Sequence, residues 1–330
     1  MKLTRLQLEN FRGAPSGAWS FVGPDGAPLD MIYVTGPAGS GKTSFLEAIV
    51  ALKESVGAYD MPPLTRRLLR KGATTGKVEG TWQLSAEEMA RADLKESTVT
   101  TRLDLAGDEP MELADPGLRD LFQAYSHDPT QGKFEYFPSG RALGDPNAHI
   151  PRNPSQEGRL RLTRHPDKYA PCVRGLIDLA LSDGITTVEE ATSRGILLLR
   201  DKRDSLAPYR KDLAELAPQI RLGGVAMTDE GHELFFERPD GTRLTVGDLS
   251  DSEKQALLFA ATFRRIGLSH SVVLIDQPEA HLHAELQLRF FQAVARLGVD
   301  NQLFLATGSP EITRLATPQQ TIVLGGARKA

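Results

Sequence analysis

Residues Gly36-Pro37-Ala38-Gly39-Ser40-Gly41-Lys42-Thr43, with Ser44 next, fit the pattern G-x-x-x-x-G-K-T. The spacing has a physical purpose. Small residues let consecutive backbone N–H groups curl around phosphate oxygens, and the helix that follows turns its positive N-terminal end toward them. In such a loop Lys42 reaches the outer phosphates and the Thr43 hydroxyl holds Mg²⁺. A glycine-rich turn with an incidental lysine is the plainer alternative, and the flanks argue against it. The apolar run Met31-Ile32-Tyr33-Val34 precedes the loop, and Phe45, Leu46, Ile49, Val50 and Leu52 recur after it at helical spacing. A carboxylate fits the same chemistry. Val272-Val273-Leu274-Ile275 ends in Asp276, where a buried strand would deliver an acid to a nucleotide-bound metal. ATP and Mg²⁺ are the expected cofactors, with Thr43 and Asp276 at the metal.

The elements that must position these groups follow from the patterning. From Leu249 onward the order is helix, strand (Val272 to Ile275), helix (Ala284 to Ala295), strand (Leu303 to Ala306). That alternation predicts a parallel sheet covered by helices. Near the start, Leu6 and Leu8 alternate with Gln7 and Glu9 as in a half-buried strand, and a Gly/Pro-rich stretch surrounds a short strand at Trp19 to Val22. Residues 77–84 and 98–105 look like an antiparallel pair. Gly144 to Pro171 is Pro-, Arg- and Asn-rich and reads as a long loop or an insertion boundary. Residues 172–217 read as two or three helices, with Leu176, Leu179 and Leu181 on the first and Leu197, Leu198 and Leu199 on the second. Residues 220–246 return to strands with a turn at Asp240-Gly241.

Three further stretches complete a set: Leu249-Ser250-Asp251-Ser252-Glu253-Lys254-Gln255, Asp276-Gln277-Pro278-Glu279-Ala280-His281-Leu282-His283, and Leu305-Ala306-Thr307-Gly308-Ser309-Pro310-Glu311-Ile312. With the opening Leu6-Gln7-Leu8-Glu9-Asn10-Phe11-Arg12-Gly13, the chain resembles the ABC-type, AAA-like ATPases of the RecF/SMC/OLD group across its N-terminal third and C-terminal quarter. The resemblance implies an α/β P-loop NTPase fold: an ABC-ATPase-type head with a mixed sheet, an antiparallel β subdomain and a helical insertion. The core would be residues 1–145 and 220–330, and the insertion 146–219. It also implies nucleotide contacts from Arg12, from residues 36–44, and from the signature segment at Ser250 and Ser252, which reaches across a dimer to the γ-phosphate. Ser250-x-x-Glu253 is in addition a capping box, so a helix with free N–H groups starts there.

The departures from that family concern hydrolysis. Gln277 stands where the family has a water-polarising Glu, and a neutral amide is a poor proton acceptor. Gly308 replaces the switch histidine, and Ser252 replaces a signature glycine. Glu279 is a spare carboxylate that could serve as the base if the backbone turns it inward. The expected behaviour is Mg-ATP binding with weak or slow hydrolysis, with Asp276, Gln277 and Glu279 as the catalytic candidates.

Composition bounds the rest. The 330 residues carry a formal charge of −4, which excludes a uniformly basic nucleic-acid coat. A single cysteine, Cys172, excludes an intrachain disulfide framework and reads as a small buried residue. No apolar run approaches the roughly 18 residues of a membrane span, and no secretory leader is visible, so a cytoplasmic protein is expected. His281-x-His283 is not a metal pair on one helix face, and the resemblance places it in a dimer-contacting loop. Two basic stretches are candidates for DNA. One is 61–77, with Arg66, Arg67, Arg70, Lys71 and Lys77 and no acid; the other is 141–174, with Arg141, Arg152, Arg159, Arg161, Arg164, Lys168 and Arg174 against Asp145, Glu157 and Asp167. A solvated face is the plainer reading of each. Three functions stay open: an ATPase in DNA repair or phage defence, a non-hydrolysing ATP-gated scaffold for a partner effector, and, disfavoured by the soluble-branch motifs, a transporter subunit. The expected partner is a second copy or a related ATPase subunit.

Overall fold

The computed structural model describes residues 1–60, 62–105, 115–144, 154–194, 204–228 and 231–325. The chain opens with strands β1 (Lys2–Glu9), β2 (Gly17–Ser20) and β3 (Met31–Thr35), and β3 runs through the glycine-rich loop into helix α1 (Lys42–Val56). Strand β4 (Lys77–Gln83), helix α2 (Ala86–Ala92), strand β5 (Thr98–Asp104), helix α3 (Pro116–Gln123) and strand β6 (Phe134–Phe137) follow. The next described elements are all helical: α4 (Pro154–Arg161), a 3-10 turn at Pro166–Tyr169, α5 (Ala170–Arg194) and α6 (Ala207–Leu216). Then come β7 (Arg221–Thr228), β8 (Gly231–Glu237), β9 (Arg243–Thr245), α7 (Asp251–Arg265), β10 (Val272–Asp276), α8 (Ala284–Val294), β11 (Gln302–Ala306), the short α9 (Pro310–Thr313) and β12 (Thr321–Val323).

The central sheet has the order β12-β3-β11-β10-β6, every pair parallel. β10 and β11 are buried at every position. A parallel strand covered on both faces shows as an unbroken apolar run, which is why 272–275 stands out in the sequence. Alternate side chains feed two cores. Val272 and Leu274 join Val34, Phe304 and the α1 residues Phe45, Leu46, Ile49 and Leu52. Val273 and Ile275 join Tyr33, Leu303 and Leu305, with Leu257 and Phe259 of α7 and Phe290 and Phe291 of α8.

A four-stranded antiparallel sheet, β2-β1-β4-β5, turns Leu3, Leu6, Leu8, Val78, Trp82 and Leu103 toward α1. A three-stranded one, β7-β8-β9, carries the expected hairpin turn, where the Arg238 N–H donates to the Thr242 carbonyl at 2.9 Å. The fold is therefore α/β, with a parallel core sheet, antiparallel sheets and a helical insertion.

Several expectations are corrected. β2 lies two residues before the predicted Trp19 to Val22 and pairs with β1 from Leu8↔Gly17 to Arg5↔Ser20. The predicted loop at 144–171 contains α4. That helix hides from hydrophobic periodicity because charged side chains make up much of its buried side: Glu157 and Arg161 are 3% and 1% exposed. The Leu197–Leu199 stretch lies outside the described residues, as do Asp145 and Arg152.

Among the described residues of 141–174, the basic side chains of the expected patch are buried or paired. Arg141, Arg161 and Lys168 are buried. Arg159, Arg164 and Arg174 are paired with Asp60, Glu47 and Asp178. Charge counted along the chain overstates charge on the surface here, because some of these residues are buried and the acids that pair with Arg159 and Arg164 come from other parts of the chain. Lys168 lies 2.7 Å from Glu135 of β6 with both groups fully buried, and that pair fixes the 3-10 turn before α5 to the core sheet. In 61–77, Arg66, Arg67 and Lys71 are exposed.

Candidate functional site

The glycine-rich loop leaves the C-terminal end of β3 and is shaped by two close backbone approaches. Gly36 has φ +142°, and a Cβ there would lie 2.3 Å from the Leu324 carbonyl oxygen just after β12. Gly41 has φ +91°, and a Cβ there would lie 2.3 Å from the Gly13 carbonyl oxygen. Only glycine fits either position. Gly41 is the N-cap of α1, no side chain caps that end, and the first turn holds no acid. The N–H groups of a 15-residue helix are thus free for an anion. Among the described residues Ser40 Oγ, buried inside the same cradle, has no hydrogen-bond partner. This orphaned hydroxyl, the glycine-lined curve and the uncapped helix end all fit a bound phosphate chain. Lys42 Nζ donates to the carbonyls of Gly36 (2.8 Å) and Pro37 (3.0 Å), which holds it along the loop.

Thr43 Oγ1 donates to Asp276 Oδ2 at 2.8 Å, so the loop and the end of β10 meet where sequence spacing predicts a metal. Asp276 is 1% exposed. Burial raises its pKa, partly offset by the Thr43 bond. A buried carboxylate beside a hydroxyl, with a raised pKa, suits a cation ligand, because Mg²⁺ would restore the charged form. Gln277 follows with φ +50° and an exposed side chain, and its N–H is bonded to the Ala306 carbonyl at 2.8 Å.

Glu279 is turned inward, but onto the neighbouring turn. Its Oε2 accepts from the Thr307 hydroxyl at 2.7 Å and its Oε1 from the Gly308 N–H at 2.9 Å. Both oxygens of the spare carboxylate thus hold the loop after β11. Arg12, with φ +37°, pairs with Glu47 at 2.7 Å and donates from Nε to the Arg67 carbonyl at 3.4 Å. Glu47 lies one turn after Thr43 on the same face of α1.

Ser250 is exposed at the N-cap of α7, and the predicted capping box is present: its N–H donates to Glu253 Oε2 at 2.8 Å, and the Glu253 N–H returns to Ser250 Oγ at 3.4 Å. Ser252 lies in the first helical turn, so its side chain imposes no backbone strain; its hydroxyl is 3.2 Å from that of Ser250. Among the described residues no hydrogen bond joins Ser250 or Ser252 to the group at Lys42, Thr43 and Asp276. The structure therefore gathers one half of the expected constellation and leaves the other half facing outward.

Sequence reading missed two arginines. Arg164, read there as part of a DNA patch, pairs with Glu47 at 2.7 Å, so Glu47 is shared between Arg12 and Arg164. Arg141 is buried against the carbonyls of Asp276 and Gln277. His281 lies 3.7 Å from Asp251, and among the described residues no group of three or more His, Cys, Asp and Glu is poised for a metal. Cys172 is buried against Thr262 at 3.4 Å, and burial pushes its thiol pKa up.

Residues 141–314, from the Arg141 turn through α9, match the family model described as "AAA domain, putative AbiEii toxin, Type IV TA system". The chain belongs to this AAA family. Solved structures agree at the level of fold. A similar one is the Smc head bound to the C-winged-helix domain of ScpA, with 15% identity over 96% of this chain and 92% of that chain and a TM-score of 0.53. Another is the Smc head domain with an extended coiled coil bound to the C-terminal domain of ScpA, derived from Pyrococcus furiosus, with 14% identity, the same coverage and a TM-score of 0.52. No curated protein matches the chain. This AAA-family chain thus shares the P-loop α/β fold of the Smc heads. Among the described residues no helix is long and apolar enough to cross a membrane.

Proposed function

We propose that this AAA-family protein binds Mg-ATP between two copies of itself, or between itself and a related ATPase subunit, and hydrolyses it slowly. The observation that carries the reading is the 2.8 Å contact between Thr43 and Asp276 at the mouth of the glycine-rich loop. Residues 36–44 would hold the phosphates through backbone N–H groups and Lys42, with Arg12 beside them. Thr43 and Asp276 would hold Mg²⁺, which neutralises phosphate charge. Ser250, with Ser252 next to it, faces outward on a helix N-terminus and would supply the second half of the pocket to the partner's nucleotide. Gln277 would orient water without accepting its proton, Gly308 offers no side chain to the γ-phosphate, and Glu279 is engaged elsewhere. The core and insertion are taken to divide as 1–145 with 220–330, and 146–219.

A second reading, a non-hydrolysing ATP-gated scaffold that controls a partner effector, is favoured by the double engagement of Glu279. The family description, which names a toxin of a toxin–antitoxin system, supports a cytoplasmic role in phage defence more than in DNA repair. The exposed Arg66, Arg67 and Lys71 keep 61–77 as the candidate DNA contact. DNA affinity that falls steeply with salt would support it, and no binding at low salt would dispose of it.

The deciding experiment measures particle size with and without Mg-ATP while phosphate release is followed. A dimer that forms with Mg-ATP, is lost in Ser250→Arg and in Lys42→Ala, and turns over slowly supports the main reading. Dimerisation without release supports the scaffold. A monomer throughout, or rapid release by clean protein that Lys42→Ala abolishes, refutes the respective claim.

A further inference from the structure

Arg141 stands at the turn that leaves β6 and is 3% exposed. Its guanidinium makes four hydrogen bonds. Nη1 donates to the carbonyls of Pro138 (3.1 Å) and Asp276 (2.8 Å), Nη2 to the carbonyl of Gln277 (3.0 Å), and Nε to Oε1 of Gln255 (2.7 Å). Gln255 is 4% exposed and donates back from Nε2 to the Arg141 carbonyl at 3.3 Å. Phe259, one turn further along α7, places its ring 5.3 Å from the guanidinium carbon.

Stability does not explain this arrangement well. All four acceptors are neutral, and the attraction of the Asp276 and Glu279 carboxylates offsets only part of the desolvation cost of the buried cation. What the guanidinium supplies is a rigid planar fork that ties three elements together. Two of its bonds fix the carbonyls of Asp276 and Gln277, the strand end that carries the candidate metal ligand. The bond to Gln255 grips the second turn of the helix whose N-cap is Ser250. The two halves of the composite site in one subunit are thus joined through one buried side chain.

We infer that Arg141 is a positioning residue that links the Asp276–Gln277 strand end to α7, so that nucleotide held in one subunit sets the orientation of the helix end offered to the neighbouring subunit. The inference rests on the two-subunit reading above only for the identity of what α7 meets; the link itself is internal to the chain. Because the fork is stiff, a shift of the two carbonyls moves Gln255 with it instead of being absorbed by a flexible stem.

The test leaves Arg141 in place and cuts the link at its far end. Gln255→Met keeps length and burial but removes the acceptor for Nε, while Gln255→Glu restores one; Arg141→Met removes all four bonds and is the harsher companion. Amide hydrogen exchange over residues 250–256 is measured in the full chain with and without Mg-ATP, alongside binding of a fluorescent ATP analogue and particle size. In the wild type, Mg-ATP slows exchange in this segment. In Gln255→Met the analogue binds within about threefold of wild type, while the α7 response falls by roughly tenfold, within the usual range of coupling between sites. Gln255→Glu recovers most of it. An α7 response equal to wild type in folded Gln255→Met, or no response in the wild type, overturns the inference. A wild type that stays monomeric yet shows a Gln255-dependent response keeps the link and removes the two-subunit reading. Equal dimerisation and equal response in both proteins does the reverse.

Discussion

Gln277 and Gly308 are the residues on which turnover should depend most. Gln277 already occupies a left-handed backbone conformation with its side chain exposed, so Gln277→Glu adds a base without new strain. It is expected to raise steady-state phosphate release by about tenfold or more, since a positioned general base contributes about 10²–10⁴-fold in favourable cases. No gain would show that the amide is not the limiting defect. Gly308→His is sterically open, because a Cβ there meets only Glu279 Oε1 at 3.7 Å. The double variant should therefore exceed either single one. Gly41→Ala acts in the opposite direction. Its Cβ would press on the Gly13 carbonyl in a backbone conformation that favours glycine, so it should abolish nucleotide binding and cost about 1–3 kcal/mol in urea unfolding. The phosphate loop was legible in the sequence because its constraints are local: glycine where φ is positive, lysine and threonine at fixed offsets. The role of Arg141 was not legible, because its partners at Gln255, Asp276 and Gln277 are brought to it only by the folded sheet. Glu279 likewise gave no sign that Thr307 and Gly308 would occupy both of its oxygens.

At the scale of elements, helices α4 and α7 make opposite points. The start of α7 could be read directly, since Ser250-x-x-Glu253 sets out its own capping geometry. Ser250→Ala should cost about 1 kcal/mol of unfolding free energy through the lost cap. It should leave the binding of ATP to the monomer unchanged and weaken dimer formation. A variant with unchanged dimerisation would confine Ser250 to capping. Helix α4 was hidden because its inward side is ionic. Burial alone would raise the pKa of Glu157, but bonds from His127 and Arg265, with Arg161 close by, more than offset it and hold it at about 2. The usual value is 4.5, so the folded state binds this proton less tightly than the unfolded chain. The stability Glu157 contributes is complete above pH 4.5 and is lost as pH falls toward 2. Acid titration of unfolding should show wild type losing on the order of 3 kcal/mol more than Glu157→Gln across that window. Parallel titrations would contradict the assignment. Arg265 lies at the end of α7, so the same carboxylate fixes the insertion to the far end of the helix that begins at Ser250.

Across the whole molecule, the phosphate loop is held in shape from two directions. The turn after β1 presses Gly13 against Gly41, and the segment after β12 presses Leu324 against Gly36. β12 itself joins the sheet beside β3, from Thr321↔Tyr33 to Val323↔Thr35. The parts that shape the nucleotide cradle thus come from stretches about 300 residues apart in the sequence. A growing polypeptide that stops short of residue 321 has the lysine and threonine but not the wall behind them. ATP capture should therefore begin only once that strand has emerged and paired beside β3.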